Sequence, residues 1–174
     1  MLELIGQSAA VQADETGWRM GTLSAWLWVF TNRDLTVYTL APGRGPEVVV
    51  KMLGVELAGI WVSDCFTAYD PQALADWLKQ KCVGHLLKDL SALNDSKTGG
   101  AVRFAREVTA VLRAALQLGD QKPSLPAADF AAQAAQLEAR LDGLMDSRRQ
   151  LTDADNIRFA KRLPKHRDHL LRFL

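Results

Sequence analysis

Two aspartates follow short apolar runs about fifty residues apart, and they are the residues best suited to chemistry. Asp64 follows the run GIWVS at residues 59–63, and Asp14 follows AVQA at residues 10–13. Hard divalent cations such as Mg²⁺ take oxygen ligands, usually one or two carboxylates with water and substrate phosphate. The pair therefore predicts part of a divalent-metal site, if the fold brings the two together. An aspartate that ends a strand also serves as a turn residue or a helix cap.

Three strands are predicted in the first forty residues. They cover residues 8–20, which carry Asp14, residues 24–30 and residues 35–40, where apolar and polar positions alternate. Short turns at Gly21-Thr22 and at residues 32–34 join them. Short turns of this kind predict an antiparallel meander.

A helix and a fourth strand are predicted next. Pro46 suits a first helical position, and Gly54 suits a position just after the helix, so the helix is expected over residues 46–53. Residues 59–63 then predict a strand that runs parallel to the first one after a right-handed crossover. If these two strands are neighbours, Asp14 and Asp64 meet at the sheet edge where ligands bind in open α/β sheets.

The remaining chain is predicted to be mainly helical. Asp70-Pro71 is typical of a helix start, with Leu74 and Trp77 on its apolar face. Residues 81–85 suit either a short fifth strand or the start of the next helix. Further helices are expected at residues 86–93, along an apolar stripe from 102 to 116, at 128–145, and after Asp153 or Asp155, with an interruption at Pro164. The domain prediction is an α/β core at residues 1–93 and a helical insertion or extension at 94–174.

Composition excludes several classes of protein. The hydrophobic share of 48% and the charged share of 24% are ordinary for a globular protein. A length of 174 residues fits one domain, or one domain with a helical appendage. No apolar run is long enough to span a membrane, and residues 1–6 do not resemble a signal peptide. Two cysteines predict no disulfide framework. A cytoplasmic protein is therefore expected.

Charge is concentrated at one end of the chain. The net charge is only +1, but residues 147–174 hold eight Lys or Arg and three Asp or Glu, an excess of five positive charges. Such a segment predicts contact with a polyanion. A solvated helical face explains the same composition equally well.

Other side chains are also candidates for ligand or contact roles. Glu15 adjoins Asp14 but is expected on the opposite face of the strand, in a structural role. Cys82 and His85 have a spacing seen in zinc sites, but one such pair is half a site, so a buried thiol and a hydrogen-bonded histidine are the favoured interpretation. Arg44 suits either a phosphate contact or a solvated loop.

Several segments, taken together and in order, resemble the central region of bacterial transposases of the insertion sequence sixty-six family. The resemblance covers nearly the whole chain. The segments that carry it are DETGW at residues 14–18, WLWV at 26–29, RG at 44–45, VSDCFTAY at 62–69, CVGHLLK at 82–88 and the tail FAKRLPKHRDHLLRFL at 159–174.

The resemblance implies a ribonuclease H-like fold with an Asp, Asp, Glu metal site. The first two acids correspond to Asp14 and Asp64, two Mg²⁺ or Mn²⁺ ions are the expected cofactors, and the activity is DNA strand cleavage and transfer by in-line attack at phosphate. The third acid of the family is a Glu on a later helix, expected beyond Leu174. Glu107 and Glu138 qualify by residue type only and are not expected to replace it. The isolated chain is therefore predicted to be inactive or nearly so.

The implied partners are DNA, both transposon ends and target, and further copies of the chain on DNA. The residues predicted to contact DNA are Arg44, Arg158, Lys161, Arg162, Lys165 and Arg167. Two other functions stay open: a non-catalytic DNA-binding or assembly remnant that uses the basic tail, and a different ribonuclease H-like nuclease.

Overall fold

A computed structural model describes residues 5–174 of the chain. Residues 1–4, part of the segment that was compared with a signal peptide, lie outside the described residues. The chain divides into two compact units, Met1–Cys82 and Val83–Leu174. Each unit is described by itself below.

The first unit is built on a five-stranded mixed sheet with the strand order β3-β2-β1-β4-β5. The strands are β1 (Ala10–Met20), β2 (Leu23–Thr31), β3 (Thr36–Ala41), β4 (Ile60–Ser63) and β5 (Lys79–Lys81). β2 is antiparallel to both β1 and β3, whereas β4 is parallel to β1 and β5 is parallel to β4. The predicted fold class is confirmed: an antiparallel meander followed by parallel strands, in ribonuclease H-like order.

Local sequence explains the two turns of the meander. Met20 pairs with Leu23, so the first turn has two residues, and Gly21 takes the positive φ of 62° that such a turn needs at its first position. In the second turn, the side-chain oxygen of Asn32 accepts hydrogen bonds from the backbone N–H groups of Asp34 and Leu35, at 2.8 and 2.6 Å. Both turns therefore lie where the sequence predicts them.

Helix α1 (Pro46–Leu53) connects the meander to β4 and has the predicted bounds. Its last turn ends at Gly54, which has a φ of 78° and donates its N–H to the carbonyl of Val50 at 2.8 Å. The apolar face of α1 joins the core of the first unit. The buried residues that share this core include Val11, Ala13, Trp28, Phe30, Val48, Val49, Leu53, Trp61, Tyr69 and Leu74.

The start of β4 approaches the chain just before β1 very closely. The N–H of Ile60 donates to the carbonyl of Ala9 at 2.9 Å. A Cβ atom on Gly59 would overlap the carbonyl oxygen of Ser8 and would lie 2.6 Å from the carbonyl carbon of Ala9. A side chain at position 59 would therefore force the backbone of β4 away from that of residues 8 and 9.

The helix predicted from Asp70-Pro71 is wrong. The segment instead forms two short 3-10 helices, Thr67–Tyr69 and Gln72–Leu74, before β5 begins at Lys79. Asp70 does not cap a helix with its side chain, because both of its carboxylate oxygens accept hydrogen bonds from Lys81 Nζ, at 2.9 and 2.8 Å. A further anchor, Trp77 Nε1, donates to the carbonyl of Val55 at 2.9 Å.

The second unit is helical. Its helices are α2 (Val83–Ser96), α3 (Arg103–Gln121), α4 (Ala127–Ser147), α5 (Ala154–Ala160) and α6 (Arg162–Lys165). Asp153 caps α5 as one of the two predicted candidates, since its side chain accepts from the N–H groups of Asp155 and Asn156. The predicted domain boundary between residues 93 and 94 falls inside α2, and the division into core and insertion stays a prediction.

One part of the predicted apolar stripe on α3 is wrong. The residues predicted to form the stripe are Val102, Ala105, Val108, Leu112, Ala115 and Leu116. Leu116 is 39% exposed, whereas Phe104, Val111 and Leu118, which are not among them, are buried. Among residues 5–174, no helix has the length and hydropathy needed to cross a membrane.

Candidate active site

Asp14 lies in the central strand of the sheet. It pairs with Val29 of β2, and its Oδ1 atom accepts the backbone N–H of Glu15 at 3.0 Å. Successive residues of a strand point to opposite faces. Since Val11 and Ala13 are buried in the core, Asp14 lies on the other face of β1, where it is half-buried.

Asp64 directly follows β4. Its Oδ1 atom accepts the backbone N–H of Phe66 at 2.8 Å, which restricts the rotation of the carboxylate. The preceding residue, Ser63, is buried and pairs with Lys81 of β5. Asp64 is therefore held by the turn that its own side chain closes.

The parallel register of β1 and β4 relates the two aspartates. Gln12 pairs with Val62, and Asp14 and Asp64 each follow two residues later. Strands β1 and β4 are therefore parallel neighbours, as the sequence predicts, with Asp14 inside β1 and Asp64 at the residue that follows β4.

The sheet face that bears Asp14 is rich in exposed apolar side chains. The register places five large ones on this face, with exposures between 46% and 66%: Trp18, Met20, Leu23, Tyr38 and Leu40. Tyr38 lies in the same row as Asp14, because Val29 pairs with both. The candidate site is thus bordered on one side by an apolar surface.

Glu15 points into the opposite, core-facing side of the sheet. Its side chain is only 1% exposed, and its partner on β2 is the fully buried Trp28. Oε1 accepts Arg44 Nε at 2.6 Å and lies 2.5 Å from Arg44 Nη2, and Oε2 accepts the hydroxyl of Tyr69. A buried carboxylate needs such partners, because an uncompensated buried charge is costly.

The charges of both aspartates reach Glu15. Burial raises the pKa of the Glu15 carboxyl above its ordinary value, the hydrogen bond and charge of Arg44 oppose this rise, and the charges of Asp64 and Asp14 add to it. The carboxylates of Asp14, Glu15 and Asp64 therefore share one electrostatic environment, although Glu15 lies on the other face of the strand.

The chemistry of Asp14 and Asp64 fits a hard divalent cation. Both supply carboxylate oxygens, and a Mg²⁺ ion bound by one or two carboxylates completes its shell with water and phosphate. Among residues 5–174, no group of three or more His, Cys, Asp or Glu side chains is arranged to hold a metal ion. Asp14 and Asp64 would supply two carboxylates to such an ion, with the remaining positions left to water and phosphate.

Four of the six residues predicted to contact DNA form ion pairs within their own unit. Arg44 pairs with Glu15, Arg158 with Asp155, Arg162 with Asp89, and Arg167 with both Asp142 and Glu138.

The other two predicted DNA contacts, Lys161 and Lys165, are exposed, and neither forms an ion pair within the described part of the chain. Of the six residues predicted to contact DNA, they are the two most available to an anionic partner. Glu107, one of the two glutamates considered as a third acid, is paired with Arg103 on the surface of α3.

Sequence reasoning missed the partners of Glu15. A glutamate between Ala13 and Gly17, at a core-facing position of β1, is a signal that a cation must lie nearby. Nothing in the sequence indicates that the cation is Arg44, 29 residues away, or that Tyr69 binds the other oxygen.

A comparison with protein families identifies the chain. The model of the transposase IS66 family matches residues 1–174. The chain belongs to that family. This confirms the resemblance stated for the sequence and gives DNA transposition as the general function of this IS66-family chain.

Other comparisons add less to the family assignment. No curated protein matches the IS66-family chain. Among solved structures, it is similar to the "HTLV-2 integrase catalytic core domain in complex with magnesium (trimeric form)", with 12% identity and a TM-score of 0.35, over 62% of this chain and 86% of that one. The family match and the strand order therefore carry the assignment.

Proposed function

We propose that Asp14 and Asp64 are ligands of divalent metal ions, Mg²⁺ or Mn²⁺, in a unit that cuts DNA strands and transfers them during transposition. The observation that supports the proposal is the parallel register of β1 and β4, in which Asp14 and Asp64 each follow the last pair, Gln12 and Val62, by two residues. Family membership supplies the substrate class, DNA.

In this proposal a hydrogen bond from a nearby backbone N–H group orients each carboxylate for metal binding. The N–H of Glu15 binds Asp14, and the N–H of Phe66 binds Asp64, each through one carboxylate oxygen. Bound metal ions would supply electrostatic stabilisation of the attacking and leaving oxygens at phosphorus. Asp14 and Asp64 would orient those ions, and preorganised ligands lower the cost of reaching the transition state.

We further propose that residues 1–174 alone have little or no nuclease activity. A two-metal site normally uses at least three carboxylates, and the one nearest to Asp14 along the chain, Glu15, is engaged by Arg44 and Tyr69 on the other face of β1. Metal binding and catalysis are therefore separable in this chain.

The test measures both properties on the purified 174-residue chain. Mn²⁺ binding, followed by electron paramagnetic resonance, is expected in the wild type and is expected to be lost in Asp14→Asn and in Asp64→Asn. DNA nicking with Mg²⁺ or Mn²⁺ is expected to be near background. Unchanged Mn²⁺ binding in both variants would refute the metal site. Robust nicking that disappears in Asp64→Ala would instead refute the predicted inactivity.

A non-catalytic DNA contact through the basic segment is the second candidate function. It is supported by the exposure of Lys161 and Lys165 on the second unit. This contact would hold DNA through its phosphates and would not require a metal ion. Assembly of several copies on DNA belongs to the same proposal.

A further inference from the structure

One of the two partners of Glu15, Tyr69, belongs to the segment that follows Asp64. Tyr69, the last residue of the 3-10 helix Thr67–Tyr69, donates its hydroxyl to Glu15 Oε2. That helix begins three residues after Asp64. Glu15 itself is adjacent to Asp14. One hydrogen bond thus joins the strand of the first aspartate to the loop of the second.

Arg44 makes a second connection between the same two segments. Its guanidinium binds Glu15 Oε1 through Nε and Nη2, and it stacks over the ring of Phe66, 3.9 Å from the centroid. The backbone N–H of Phe66 is the group that binds Asp64 Oδ1. Trp26 of β2 covers the guanidinium at 4.7 Å from its ring centroid. Arg44 therefore contacts one residue next to Asp14 and one that binds Asp64.

We propose that Glu15, Arg44 and Tyr69 are positioning residues that fix Asp64 relative to Asp14 from the core side of the sheet. The inference rests on the proposed function of the two aspartates as metal ligands. Groups that orient metal ligands commonly change metal affinity by about ten- to a hundredfold when they are replaced. The three side chains contact neither metal nor DNA in this role.

The choice of side chains suits this task. An arginine fork is planar, donates in fixed directions and stacks on aromatic rings, whereas a lysine offers a point charge on a flexible stem. The positive charge of Arg44 also offsets the negative charge of Glu15, next to two further carboxylates. Arg44→Lys keeps the charge and removes the stacked fork, so it separates geometry from electrostatics.

The experiment measures Mn²⁺ affinity by electron paramagnetic resonance on the full 174-residue chain. The variants are Arg44→Lys, Tyr69→Phe and Glu15→Gln, and each is expected to weaken binding about ten- to a hundredfold. Because all three act through one contact set, the double variant Arg44→Lys/Glu15→Gln is expected to lose much less than the product of the single losses.

Two controls separate positioning from loss of stability. Arg103→Lys makes the same chemical change in an exposed ion pair with Glu107 and is expected to bind Mn²⁺ as the wild type does. Leu74→Ala removes a fully buried core residue of the same unit. It is expected to lower the unfolding midpoint while Mn²⁺ affinity, measured well below that midpoint, stays unchanged.

The Mn²⁺ affinities of these variants distinguish failure of the positioning role from failure of the proposed metal site. If Asp14→Asn and Asp64→Asn abolish binding while Arg44→Lys and Tyr69→Phe bind normally, the positioning role is refuted and the metal site stands. The positioning role is also refuted if Leu74→Ala weakens binding as much as Tyr69→Phe. If neither aspartate variant changes binding, the proposed function itself fails.

Discussion

The ammonium group of Lys81 lies 2.8 and 2.9 Å from the two carboxylate oxygens of Asp70, and the Lys81 side chain is completely buried. Lys79 Nζ lies 3.4 Å from the same carboxylate, and its side chain is 6% exposed. One aspartate thus neutralises part of the charge of two lysines of β5, on the strand that neighbours β4. Buried charges of this kind are stable only while they stay paired.

Removal of the Asp70 carboxylate is expected to lower the free energy of unfolding more than removal of one lysine. Asp70→Asn removes the carboxylate that binds the buried ammonium group of Lys81 and is expected to cost about 3–5 kcal/mol of unfolding free energy. Lys81→Met leaves Asp70 with Lys79 and is expected to cost less. Urea unfolding at pH 7 measures both, with Arg103→Ala as the exposed-pair control, which should leave the midpoint unchanged. An Asp70→Asn protein as stable as that control would contradict this prediction.

Gly59→Ala is expected to disturb the docking of β4 beside β1. The added methyl group would overlap the Ser8 carbonyl oxygen, so a backbone shift is unavoidable, with an expected cost of about 1–3 kcal/mol. The same shift should weaken Mn²⁺ binding, because it moves the strand that leads to Asp64. Gly17→Ala is the matched control within β1, where a Cβ meets no atom within 4 Å. If Gly59→Ala were as stable as Gly17→Ala, the expected cost of the backbone shift at β4 would be contradicted.

The ion pair between Asp142 and Arg167 should stabilise the protein at neutral pH and lose this effect at low pH. The hydrogen bond from Arg167 holds the pKa of Asp142 below its ordinary value, against a smaller opposing effect of burial. An acid whose pKa is lowered by folding stabilises the protein above its unfolded pKa, and this stabilisation is lost as the pH falls through the folded pKa. Since both side chains are partly exposed, Arg167→Ala should cost only about 0.2–1 kcal/mol at neutral pH.

The measurement is urea unfolding of the wild type and Arg167→Ala between pH 7 and pH 2. The difference in unfolding free energy should shrink below about pH 4, where the carboxyl group of an unfolded chain takes up its proton. Carbon-13 NMR of Asp142 should show a higher pKa in the variant. A difference that is the same at every pH would exclude the ion pair as its source.

DNA binding by the second unit should depend on Lys161 and Lys165 rather than on the paired arginines. The double variant Lys161→Gln/Lys165→Gln should weaken binding to any duplex and lower the slope of log K against log salt concentration by about 1.8, if each lysine meets one phosphate. Lys88→Gln/Lys122→Gln removes the same charge from exposed lysines outside the basic segment. If the two double variants gave equal salt slopes, DNA would not contact Lys161 and Lys165.

The sequence predicts the sheet well where hydrophobic pattern and turn residues agree. The meander, the crossover helix and the parallel fourth strand all follow from alternation, from Gly21 and from the pair Pro46 and Gly54. These signals are local, which is why they can be read without knowledge of the tertiary structure.

The predictions made from the sequence are wrong where long-range contacts determine the local structure. Leu74, Trp77 and Leu78 have helical spacing, but the hydrogen bond from Trp77 to the carbonyl of Val55 holds this segment in another conformation. The strand Lys79–Lys81 is stabilised by ion pairs with Asp70, a contact that strand propensity does not indicate. Strand β5, with the sequence KQK, therefore lies two residues before the place considered for it. The contacts of Glu15 with Arg44 and Tyr69 were missed for the same reason.

The parallel pairing of β1 and β4 has a consequence for the order of folding. Asp14 belongs to a hairpin with a two-residue turn, which closes a short loop and forms quickly. Asp64 reaches its place when β4 pairs with β1, which requires the chain to close a loop of about fifty residues at a higher entropic cost. The proposed metal site would then be among the last parts of the sheet to assemble, and metal binding would report that β1 and β4 are paired.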